Sequence, residues 1–95
     1  MKTLDEWTKY LEKNLSFPFD AVVAENQQYG PLDNGNKVKV HRISTEDDLF
    51  GIIVKVRFGR KKYHFPLNEL KALDKESSNY KLLEDYTQWS PEDEL

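Results

Sequence analysis

Residues 50–67, FGIIVKVRFGRKKYHFPL, decide what kind of fold this chain can adopt. The first half, FGIIVKVRF, is a long β-branched run of the kind that packs well on a pleated sheet. Gly59-Arg60 then makes a tight turn, and KKYHFPL brings the chain back as a partner strand. Pro66 has no N–H to give a sheet ladder, so that strand must end there or lie at an edge. Leu67-Asn68-Glu69 suits one 3₁₀ turn, followed by a short fifth strand around LKALD, residues 70–74.

Upstream, KVKVHRIS at 37–44 alternates, with Val38, Val40 and Arg42 expected on one face and Lys37, Lys39 and His41 on the other. FDAVVAEN, from Phe19, is short and Val-rich and reads as a buried first strand. YGPLDNGN and STEDD are loops by composition. At both ends the period becomes helical. Thr3-Leu4-Asp5-Glu6 is a capping box, and Leu4, Trp7, Leu11 and Leu15 recur at spacings of three and four. A helix over about 4–14 should stop before Ser16-Phe17-Pro18, because the residue before proline leaves the helical region. Ser77 or Ser78 can cap a second helix over about 78–89, with Leu82, Leu83, Tyr86 and Trp89 as its apolar stripe.

The expectation is one α+β domain spanning 1–95. Its β core, about 19–74, would be a small SH3-like antiparallel β-barrel of about five strands, flanked by N- and C-terminal helices. A two-layer α+β sheet is the competing architecture. Trp7, Phe17, Phe19, Phe50, Phe65, Tyr86 and Trp89 would supply the bulk that seals the helices onto the core. Residues 90–95 form an acidic tail.

The chain has no Cys, which excludes disulfides, thiolate zinc sites and thiol catalysis together and suits a reducing cytoplasm. Its N-terminus lacks the apolar run of a signal peptide, and no segment approaches the ~20 apolar residues that span a bilayer. A cytoplasmic monomer without a membrane anchor is expected. Net charge is −3, from 17 acids and 14 bases, which argues against a protein whose main task is coating nucleic acid. His41 and His64 lie in strands with no ligand-spaced neighbour, and no nucleophile elbow, Walker or GxGxxG pattern occurs, so no enzyme is expected.

One local excess needs a reason. Glu46, Asp47 and Asp48 stand together directly before the most apolar stretch, where a turn needs only one or two polar residues. Solvation is one reading of three adjacent carboxylates, and a bound cation is the other.

Four segments carry a family resemblance: NLSFPFDAVV (14–23), GPLDNGNKVKV (30–40), DDLFGIIVKVRFGRKKYHFPLNEL (47–70) and DYTQW (85–89). Together they resemble the cyanobacterial calcium-binding protein family of the CcbP type, over about residues 7–89. The resemblance implies a small acidic protein that binds Ca²⁺ through surface carboxylates and lowers the free cytosolic ion.

Ca²⁺ takes six to eight oxygen ligands. No EF-hand is present, since Asp33-Asn34-Gly35-Asn36 is followed by no acid before Glu46. In an SH3-like barrel the two loops are expected at one end, bringing Asp33, Asn34 and Asn36 to Glu46, Asp47 and Asp48. Glu46 and Asp48, two apart in extended chain, sit roughly 7 Å apart on one face. Glu84 and Asp85 form a weaker auxiliary acidic patch. Lys55, Arg57, Arg60, Lys61 and Lys62, interleaved with Phe58 and Tyr63, offer the alternative function: an adaptor for nucleic acid or an acidic partner. With Met1 the only Met, no Met-rich groove is available for a sensor, so buffering is the preferred role.

Overall fold

The computed structural model describes residues 3–24 and 32–89. The last residues of FDAVVAEN, the start of the DNGN loop and the acidic tail 90–95 lie outside the described residues. Helix α1 spans Leu4–Asn14, and its capping box is formed: Glu6 N donates to Thr3 Oγ1 while Thr3 N donates to Glu6 Oε1. Five strands follow, β1 Phe19–Val23, β2 Lys37–Asp47, β3 Gly51–Phe58, β4 Lys61–Pro66 and β5 Leu70–Ala72. A 3₁₀ turn, Leu67–Glu69, links β4 to β5, and helix α2 spans Ser78–Gln88 behind a Ser77 N-cap.

The strands form one antiparallel sheet in the order β4-β3-β2-β1-β5. The expected SH3-like barrel is not closed. Pro66 ends β4, the 3₁₀ turn leaves the ladder, and the three residues of β5 are all used in pairing with β1, so β4 and β5 remain the two edges. One face carries the core. Ala21, Val23, Val38, Val40, Val54 and Val56 are buried on it against Trp7, Leu11 and Leu15 of the α1 region and Leu83 and Tyr86 of α2. This is the two-layer arrangement, with both helices on one side of the sheet.

Two local features tie the helices together. The Asn79 amide exchanges a pair of hydrogen bonds with the backbone of Ser16, both 3.0 Å, joining the chain after α1 to the first turn of α2. Trp7, Tyr86 and Trp89 then meet with ring centroids 5.6–6.2 Å apart, within the range of favourable aromatic contacts. Phe65 is buried as expected, whereas Phe50 is 38% exposed beside the acidic turn.

Strand β2 departs most from expectation. It runs through STED to Asp47, so Ser44–Asp47 are strand and only Asp48–Phe50 turn. Register shifts fall between Val40 and Arg42 and between Ile43 and Thr45. Each extra residue breaks simple alternation. Arg42 consequently pairs with Lys55 on the wet face rather than joining Val40, and His41 is left half-buried at the irregularity.

Candidate cation site

The β2–β3 turn is a built structure. Asp47 Oδ1 accepts from Leu49 N at 2.8 Å and Phe50 N at 2.9 Å, closing the turn and leaving its second carboxylate oxygen outside this pair of bonds. Asp48 and Glu46 are exposed. Gly51 takes φ +78°, a backbone angle that favours glycine, and a Cβ there would meet Tyr86 Oη at 2.6 Å. Tyr86 Oη accepts from Ile52 N at 2.9 Å, so α2 holds the base of the acidic turn. Burial raises the pKa of the Tyr86 phenol, the bond from Ile52 pulls it down, and the nearby Glu46 charge raises it further.

Beside this turn lies a hollow of about 410 Å³, lined by Ala24, Leu49, Phe50, Asn68, Glu69, Leu70, Lys71 and Thr87. Glu69 is 8% exposed, a buried carboxylate on the 3₁₀ turn, and its backbone oxygen accepts from Ala24 N at 2.8 Å. Glu69 is absent from the candidates that the sequence suggests. The available signal is an acid set between Leu67 and Leu70, both fully buried.

The DNGN segment forms a second, separate turn. Asn36 N donates to Asp33 O at 3.0 Å, and Asp33 N donates to Asn36 Oδ1 at 2.9 Å, so the Asn36 amide oxygen already has one donor. Gly35, at φ +88°, donates its N–H to Val23 O. Asp33 and Asn34 are exposed.

The two turns do not share an end of β2. One enters the strand at Lys37 and the other leaves it at Asp47, because each antiparallel hairpin reverses the chain. Asp33, Asn34 and Asn36 do not line the hollow beside the acidic turn. Among the described residues no three His, Cys, Asp or Glu side chains are grouped so as to share a metal ion. The expected six-residue cluster is therefore divided into two turns.

Glu84 is half-buried on α2 and Asp85 exposed. A hydrogen bond to Glu84 raises the pKa of the Tyr80 phenol, with desolvation and the Glu84 charge adding to it. Lys55 and Arg57 lie on β3, Arg60 in the turn after it, and Lys61 and Lys62 on β4. No helix among the described residues is long and apolar enough to cross a membrane.

Comparison with known proteins agrees with the resemblance. Two solved structures share the fold. One, a calcium-binding protein in its calcium-binding form, superposes with a TM-score of 0.73 at 22% identity, covering 90% of this chain and 72% of that one. The other, the crystal structure of Anabaena CcbP, gives 0.71 at 22% identity, covering 95% of this chain and 78% of that one. No curated protein matches by sequence. The CcbP family model, described as calcium binding and not as an enzyme family, matches residues 2–90, and the chain belongs to that calcium-binding family.

Proposed function

We propose that this chain is a non-catalytic cytoplasmic buffer that takes up Ca²⁺ at the β2–β3 turn, with Glu46, Asp47 and Asp48 as its principal carboxylates. The observation that carries the reading is the family match across residues 2–90. The chemistry of the turn supports the placement. Its donors are oxygens, as a hard cation requires, and the oxygen-bearing residues Asn68, Glu69 and Thr87 are among those lining the adjoining hollow. Water completes a shell of six to eight ligands. Asp33, Asn34 and Asn36 form a separate set in this reading, and Glu84 and Asp85 an auxiliary patch.

The role as a buffer rests on two features. The turn is already held by Asp47 and Tyr86, so the ion meets a formed backbone. Met1 is the only Met, which leaves no Met-rich surface to unveil on binding. Calorimetric titration of metal-stripped protein with Ca²⁺ at physiological salt tests the proposal. Saturable heat below millimolar ion is expected, and its absence at millimolar ion sinks the reading.

A further inference from the structure

Net charge conceals how the charges are distributed. The sheet face turned away from the helices carries three basic cross-strand rows, followed toward the β2–β3 turn by the uncharged row Thr45, Ile53 and Pro66. Lys71, Val22 and Lys37 form the first, Asp20, Lys39, Arg57 and Lys62 the second, and Arg42, Lys55 and His64 the third. Within these rows Asp20 is the only acid, and it meets Lys39 at 3.9 Å, the outer limit of an ion pair. Lys39 stands opposite Arg57, Arg57 opposite Lys62, and Arg42 opposite Lys55. Like charges directly opposite on an antiparallel pair oppose folding. The fold carries that opposition three times on one face.

From this we infer that the outer sheet face is a docking surface for the phosphate backbone of duplex nucleic acid, read without regard to sequence. Three observations select this occupant. Asp20, Lys39 and Arg57 of the second row line a shallow hollow of about 460 Å³ with Lys37 of the first, so three bases and one acid converge there. Arg57 Nε donates to Gly59 O at 3.0 Å, which fixes the guanidinium and leaves its terminal nitrogens for an anion. The rows contain no Phe, Tyr or Trp, with His64 their one aromatic ring, and are rich in Lys. Protein interfaces are depleted in Lys and anchored by aromatics, single-strand sites stack bases on aromatics, and duplex interfaces are polar and strongly positive. Among the described residues most acids lie on the helices and at the β2–β3 turn, and screening over a Debye length of about 8–10 Å weakens their opposition across the sheet.

Binding of a short mixed-sequence DNA duplex, followed by fluorescence anisotropy in chelator, tests this independently of any calcium site. With about four phosphates engaged, affinity should fall about 10²-fold between 50 and 200 mM salt. Lys39→Ala/Arg57→Ala should weaken binding at least tenfold and leave thermal stability equal or higher, since an opposed pair is removed. The charge-matched control Lys13→Ala/Lys81→Ala, on the helices, should change it less than twofold. No binding at 50 mM salt overturns the inference, as does an equal loss in the control. Poly-glutamate or anionic phosphatidylserine vesicles bound as tightly as the duplex also overturn it, and assign the face to an acidic protein or a membrane surface.

Discussion

Strand β3 carries an acidic turn at its start and a basic turn at its end, and the two are built differently. At the acidic end Gly51 is buried under Tyr86 Oη, Asp47 closes the turn, and α2 holds Ile52 N. At the basic end Gly59 is exposed at φ +63°, and a Cβ added there would meet nothing within 4 Å. One turn is fixed by packing, the other by backbone geometry and the bond from Arg57 Nε to Gly59 O. A site that must hold several oxygens around one ion needs fixed geometry. A surface that meets a polyanion needs only density of charge.

The largest effect expected from breaking this contrast is at Gly51. Gly51→Ala combines a positive φ with a contact against a buried phenol oxygen and should cost about 3 kcal/mol in chemical denaturation. Tyr86→Phe strands the buried Ile52 N–H and should cost about 2 kcal/mol. In the Tyr86→Phe background the Gly51→Ala penalty should shrink, because the clashing oxygen is gone; full additivity would show that the turn and α2 are not coupled. Neutralising the acidic turn, Glu46→Gln/Asp48→Asn, should weaken Ca²⁺ binding tenfold or more, about 1.4 kcal/mol, in the same calorimetric titration. Gly59→Ala should cost only about 1 kcal/mol, for the backbone angle alone.

The smallest expected effect concerns pH. The Tyr86 phenol has a pKa raised in the folded protein, with burial as the chief cause. Its stabilising contribution is fully present below the unfolded phenol's pKa near 10 and is lost as pH rises through the higher folded value. Denaturation midpoints should therefore fall more steeply above pH 10 in the parent than in Tyr86→Phe. Parallel curves would remove Tyr86 as the group responsible.

The sequence is most legible where one residue's chemistry decides the local outcome. Thr3 and Glu6 start α1, Pro18 bars its continuation, Gly59 turns β3 into β4, and Pro66 stops β4. Non-local facts stay hidden. The two irregularities in β2 that send Arg42 to the wet face leave no turn residue to betray them. Glu69 looks like ordinary turn polarity until the packing of Leu67 and Leu70 draws it inward. The separation of the DNGN turn from the Glu46–Asp48 turn depends on strand topology, which composition does not encode. Only the 55–62 portion of the basic face is visible in the sequence, because Lys37, Lys39 and Lys71 join it through register.

Entry of Ca²⁺ at the β2–β3 turn can be followed through the backbone amide resonances while the ion is titrated in. Residues 46–52, together with Asn68 and Glu69, should shift first and saturate together. Stationary signals there, with movement confined to the DNGN turn or to Glu84 and Asp85, would contradict it.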